Sequence, residues 1–176
     1  MKEVLKGSLE GIKVIDFSTL LPGPLASLFL SETGAEVITI EKPGVGEEIR
    51  LSNPQWGEQS VSFSLLNRGK KSLSLDLKDP NNLKILIPIL KEADIIIEQF
   101  RPGVMKRLGL DYESVKKINQ DIIYVSITGY GQYGPKSMVA GHDLNYIGNA
   151  GLLSISMGRD NDPVVPPALV ADIAGG

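Results

Sequence analysis

The sequence contains no cysteine, one histidine and one tryptophan in 176 residues, and aromatic residues make up only 6% of it. Without cysteine there is no disulfide framework and no thiolate metal site. A single histidine with no cysteine beside it leaves no donor set of the kind that holds zinc. Apolar runs extend for only a handful of residues, so no membrane-spanning helix is expected. The first residues, MKEVLKGSLEGIKVIDF, lack the apolar core of a secretory signal, and a cytoplasmic protein is the default expectation. The formal charge of −3 argues against general nucleic-acid binding. Two nucleotide devices are also missing: no GxGxxG follows the first strand-like run, and no GxxxxGK[ST] occurs anywhere.

What remains is a soluble composition, 42% hydrophobic and 22% charged, with a length that suits one ordinary domain. GIKVIDFS (11–18) reads as a buried strand, and Pro22, Gly23 and Pro24 read as a loop. Residues 25–32 read as a helix that Gly34 closes, and 36–40 as a second strand. Residues 42–70, rich in Gly, Pro and polar side chains, form a long excursion of the kind that often serves function. KSLSLDLK (71–78) alternates like a half-exposed strand. Asp79-Pro80 opens a helix to about Lys91, and ADIIIEQF (93–100) is another buried strand. Two short helices should follow, the second with Asp111 at its cap. DIIYVSITGYG (121–131) is a further strand, and a helix-like stretch runs from His142 to about Met157. The strands near 12, 36, 94 and 121 read as apolar on both faces. The expected fold is α/β, a Rossmann-like open and mostly parallel sheet with helices on both faces. Ligands in such sheets gather beyond the carboxyl ends of the strands. ALVADIAGG reads as the opening of a helix that lacks its partner, so a fragment of a longer protein is expected.

His142 stands between Gly141 and Asp143, and Asp172 stands among small and apolar residues. A desolvated carboxylate is pushed toward the pKa of a useful base, and N–H groups at a helix start stabilise a developing oxyanion. The same residues also suit a surface histidine and two helix caps, and spacing alone does not bring His142 to Asp172. Arg68, Lys70 and Lys71 place three cations within four residues, and Arg101 and Arg107 add two more. These suit a phosphorylated ligand or a solvated charged face.

LEGIKVIDFSTLLPGPLASLFLSETGAEVITIEKP, NRGKKSLSLDLKDP, ADIIIEQFRPGVMKRLGLDY, IYVSITGYGQYGP, AGHDLNY and PPALVADIAGG, in that order, resemble the family III CoA-transferases, the CaiB/BaiF group that also contains α-methylacyl-CoA racemase. The resemblance implies that residues 1–176 are the N-terminal part of a large CoA-binding α/β domain. The family's small second domain and returning C-terminal segment would lie outside these residues, and the family assembles as an interlocked homodimer. It implies an acyl-CoA substrate, with coenzyme A as part of the substrate and no permanently bound cofactor. Asp172 matches the transferase nucleophile, and His142 in the GHD motif matches the racemase branch. The implied racemase chemistry is 1,1-proton transfer at the α-carbon of a 2-methylacyl-CoA through an enolate, with His142 and Asp172 as opposed bases. A transferase working through an aspartyl-CoA intermediate, or an inactive CoA-binding module, are the alternatives. Asp143, Tyr146, Gly23 and Pro24 are assigned to the oxyanion and acyl site, and Lys42, Arg68, Lys71, Lys78, Arg101 and Arg107 to CoA.

Overall fold

A computed structural model describes residues 7–158 and 162–175. Five short parallel strands form its sheet: β1 (Lys13–Asp16), β2 (Glu36–Glu41), β5 (Lys71–Ser74), β6 (Ile95–Glu98) and β7 (Ile123–Ser126), in the spatial order β5-β2-β1-β6-β7. Ile15 is in register with Ile38 of β2 on one side and Ile96 of β6 on the other. The chain therefore leaves β1 in one direction to build β2 and β5, then returns to its other side for β6 and β7. That reversal opens a crevice beyond the carboxyl ends of β1 and β6.

Alternation along the strands creates two cores. Val14, Val37 and Ile97 pack with Ala35 on the face covered by α1 (Pro22–Glu32). Ile15, Ile40 and Ile96 pack on the other face with Leu86 and Leu90 of α3 (Pro80–Lys91), Met105 of α4 (Val104–Leu108) and Val115 of α5 (Tyr112–Lys116). Asp79 caps α3 by accepting the Asn81 N–H at 2.9 Å, and Ser114 donates to Asp111 at the start of α5. Asp79 thus caps as expected, whereas Asp111 takes the N-cap position of α5 but accepts the Ser114 hydroxyl rather than a backbone N–H.

Four expectations are corrected. Helix α1 starts at Pro22, because proline's fixed φ and missing N–H suit a first turn. Strand β7 is not buried on both faces: Ile123 is 58% and Val125 39% exposed at the sheet edge. The excursion carries structure of its own: a 3-10 turn (Glu48–Leu51), a hairpin of β3 (Gln55–Trp56) with β4 (Gln59–Ser60), and α2 (Val61–Leu66), capped by Ser60. The helix expected over 142–157 is two, α6 (Asp143–Asn149) and α7 (Leu152–Ile155), broken where Gly151 takes φ +86°. The last element, α8 (Val170–Gly175), packs on α6 and α1. None of the described helices is long and apolar enough to cross a membrane.

Candidate active site

The loop leaving β1 is built on a buried carboxylate. Asp16 is fully buried and accepts the Ser18 N–H at 2.8 Å together with the hydroxyls of Ser18 and Ser27. The Lys70 ammonium lies 3.8 Å from it, and both side chains are almost wholly out of solvent. Lys70 also donates to the Pro24 carbonyl at 2.8 Å and to Asn67 Oδ1 at 3.2 Å. Burial pulls the Lys70 pKa down to about 8 against the attraction of Asp16. Gly23, in the first turn of α1, packs against the same loop. Its N–H donates to Gln99 Oε1 at 2.9 Å, and a Cβ there would lie 2.2 Å from that of Ser18. Leu20, in this loop, is the non-glycine residue with left-handed backbone among those described, at φ +64°. That conformation costs a side-chain-bearing residue about 1–2 kcal/mol.

Two adjoining cavities open at the carboxyl edge of the sheet. The first, about 420 Å³, lies beyond β6 and β7; Leu20, Pro22, Arg101, His142, Tyr146 and Asp172 are among its walls. The second, about 550 Å³, lies beyond β1, β2 and β5; its walls mix apolar side chains with Glu41, Glu47, Glu48 and Asp76 and with Lys42 and Lys78, Lys42 being paired with Glu48 at 3.1 Å.

His142 and Asp172, thirty residues apart in the sequence, thus face one space. Asp143 brings them there. Its buried carboxylate accepts the N–H groups of Ala171 at 2.6 Å and Asp172 at 3.2 Å, tying the first turn of α8 to the start of α6. Burial raises the pKa of Asp172 and the nearby Asp143 charge raises it further, while His142 acts in the opposite direction. The Asn145 side chain accepts the His142 N–H at 3.0 Å and fixes the entry to α6. Tyr146 donates its hydroxyl to the Gly141 carbonyl at 2.6 Å and stands edge-on to Tyr130, with centroids 5.2 Å apart. Its ring fills the space that a side chain at Gly129 or Gly141 would need. Burial raises its pKa.

The other sequence-assigned residues divide. Lys42 and Lys78 line the second cavity and Arg101 the first. Gly23 and Pro24 are buried in the first turn of α1 and line neither cavity, whereas Pro22 lines the first. Asp143 presents its side chain to α8 and is not among the cavity-lining residues. Arg107 stands on α4, whose Val104 and Leu108 line the second cavity, but does not itself line it. The NRGKK cations are each matched to a separate acid. Arg68 pairs with Glu32, Lys70 with Asp16, and Lys71 with Glu36 at 2.6 Å. Lys71 opens β5 and Glu36 opens β2, so this pair sits at the amino edge of the sheet, opposite the cavities. The solvated-face reading therefore fits Arg68 and Lys71. Replacing either by alanine is expected to change the urea-denaturation stability by less than about 1 kcal/mol, since exposed pairs of this kind are weak, and neither residue lines a cavity.

Sequence reasoning missed Asp16, Leu20 and Glu47. Glu47 is buried beside the second cavity and accepts the Leu20 N–H at 2.9 Å. Burial raises its pKa. Neighbouring Glu41 is held down to about 2 by the Arg50 guanidinium, which reaches its two oxygens at 2.7 Å each. Among the described residues no cluster of three or more acidic or histidine side chains is placed to hold a metal ion.

Residues 9–176 match the model of CoA-transferase family III, and the chain belongs to that family. Human succinyl-CoA:glutarate CoA-transferase is 40% identical over 169 residues, covering 96% of this chain and 39% of that protein. Acetyl-CoA:oxalate CoA-transferase of Acetobacter aceti is 40% identical over 172 residues, covering 97% and 44%. Human α-methylacyl-CoA racemase is 38% identical over 170 residues, covering 96% and 41%. The crystal structure of a CaiB/BaiF family protein from Brucella suis superposes with a TM-score of 0.89 at 34% identity, over 96% of this chain and 46% of that one. The chain thus spans about two fifths of the length of these curated relatives.

Proposed function

We propose that this chain is the N-terminal part of an acyl-CoA racemase or epimerase that moves a proton at the α-carbon of a 2-methylacyl-CoA thioester. The observation that carries this reading is the shared cavity of His142 and Asp172. One of the pair removes the α-proton, an enolate forms, and the other, protonated, returns a proton to the opposite face. An aspartate does this work best when its acid form is accessible, and the raised pKa of Asp172 serves that need. The Asn145 and Tyr146 N–H groups already donate to the His142 carbonyl, so the first-turn N–H groups of Asp143 and Leu144 are the proposed oxyanion donors. Lys42 and Lys78 are assigned to the phosphates of CoA, Arg101 to the portion nearer the reacting centre, and Leu20 and Pro22 to the acyl wall. Coenzyme A enters as part of the substrate. The whole protein is proposed to work as a homodimer in the cytoplasm, with no nucleic-acid or membrane partner.

A second reading has its own support. Relatives named as CoA-transferases are as similar as those named as racemases. In that reading Asp172 attacks the thioester carbonyl, releasing CoA thiolate and forming a mixed anhydride. The thiolate then attacks the aspartyl carbonyl and expels the first carboxylate, leaving aspartyl-CoA. A second carboxylate displaces the thiolate to form a new anhydride, and the thiolate attacks its acyl carbonyl, giving the new acyl-CoA and restoring the Asp172 carboxylate. One experiment separates the two. The chain is incubated in D2O with one enantiomer of a 2-methylacyl-CoA, with and without free carboxylic acids. Deuterium at the α-carbon without any acid present supports the racemase. Carboxylate-dependent appearance of a new acyl-CoA, with no α-deuterium, overturns it in favour of the transferase.

A further inference from the structure

The two cavities share two lining residues, Leu20 and Phe100. Each is fixed through its main chain to a buried carboxylate. The Leu20 N–H donates to Glu47 Oε1 at 2.9 Å, and the Phe100 N–H donates to Glu98 Oε2 at 2.9 Å. Glu47 is itself immobilised: its second oxygen accepts the Ile49 N–H at 3.1 Å, and its own N–H donates to Glu41, the partner of Arg50. An anchor on the excursion, 27 residues further along the chain, thus holds Leu20 in its left-handed conformation. Glycine would adopt that backbone freely, yet a branched aliphatic side chain stands there, 40% exposed, at the junction of two cavities. A strained residue held by its surroundings at a ligand cleft is a signature of function.

We propose that Leu20 is a specificity-determining residue. With Phe100 it forms a neck through which the thin, thiol-bearing end of the CoA arm passes from the cavity of Lys42 and Lys78 to that of His142 and Asp172, and its bulk sets the cross-section that passes. This rests on the acyl-CoA reading above. The nucleotide end of CoA carries the phosphates and stays on the lysine side, so it does not meet the neck. The arm and the thioester do. A change at Leu20 therefore acts on ligands that carry the arm and spares those that lack it.

The test is titration calorimetry of the chain with acetyl-CoA and with adenosine 3′,5′-bisphosphate, which has the nucleotide but no arm. The unaltered chain should bind both, acetyl-CoA more tightly. Leu20→Phe overfills the neck and should weaken acetyl-CoA by about tenfold or more, with the bisphosphate changed less than about twofold. Leu20→Gly suits the left-handed backbone, keeps the fold and empties the neck. It should weaken acetyl-CoA by about three- to tenfold through lost apolar contact, again sparing the bisphosphate. Parallel changes for both ligands, or no change for acetyl-CoA in either variant, overturn the proposal. So does equal affinity of the unaltered chain for the two ligands, because the arm would then make no contact in the neck. An unaltered chain that binds neither removes the acyl-CoA reading itself, a different result from a neck that fails to discriminate.

Discussion

Asp172→Asn should lower α-proton exchange on a 2-methylacyl-CoA by about a thousandfold or more, with the acyl-CoA dissociation constant changed less than about threefold. The substitution keeps the shape and removes the proton-accepting oxygen. The backbone at this point stays where it is, because Asp143 holds it through the N–H groups of Ala171 and Asp172 rather than through the side chain that changes. His142→Ala should match that loss if the two groups work on opposite faces of one carbon. In a transferase, loss of the imidazole would cost about tenfold or less while Asp172→Asn still abolished turnover. The pH profile carries the sign of the site's electrostatics. The native environment favours the protonated form of Asp172, first by burial and then through the Asp143 charge. Its basic form is therefore populated only above a raised pKa, and exchange limited by that base should climb as pH rises through it. Asp143→Asn keeps an acceptor for the α8 N–H groups but removes the neighbouring charge. It should move the acid limb to lower pH, a shift that quench-flow or steady-state exchange rates across a pH series would read directly.

The second large effect concerns stability. Lys70→Met should destabilise the fold by about 3–5 kcal/mol in urea denaturation near pH 7, because it leaves the Asp16 charge buried without its cation. It also removes the donor to the Pro24 carbonyl. Asp16→Asn combined with Lys70→Met should recover much of that loss, since the penalty lies in the orphaned charge rather than in the pair itself. A double variant as unstable as the sum of the singles would contradict this. The folded pKa of Lys70 is lowered to about 8 from 10.5, so between these values the unfolded chain binds more protons. This group's contribution to stability should therefore rise as pH goes from about 8 toward 10.5.

Much of the sheet was legible in the sequence, because a strand buried on both faces writes itself as a β-branched run, and Asp79-Pro80 writes a helix start just as plainly. The excursion was not legible. Its turn, hairpin and short helix depend on contacts made elsewhere in the fold, such as Arg50 reaching back to Glu41 at the end of β2, and local propensity carries no trace of them. Charge was the other blind spot. Lys70 and Lys71 are neighbours of one type, yet one lies wholly inside against Asp16 and the other lies in water beside Glu36. Composition cannot separate two adjacent lysines that enter a strand on opposite sides. Asp16 reads as the end of an apolar run, and only the fold makes it the keystone of a loop. For the site itself, GHD and the aspartate of VADIAGG were visible as motifs, whereas their meeting depends on a hydrogen-bonded link between α6 and α8 that has no local signal.

Strand β1 is paired on both sides and packed against both cores. Its amide protons belong to the part of the molecule that opens last, and they should survive in heavy water when those at the β7 edge have been replaced. The loop carrying Leu20, and the start of α1 at Pro22 beyond it, hang from the final residue of that strand through Asp16. One wall of the cleft thus shares the slow clock of the whole fold. The facing wall, drawn from the turns around Tyr130 and Gly141, follows β7 at the exposed sheet edge, and its amide protons should exchange sooner.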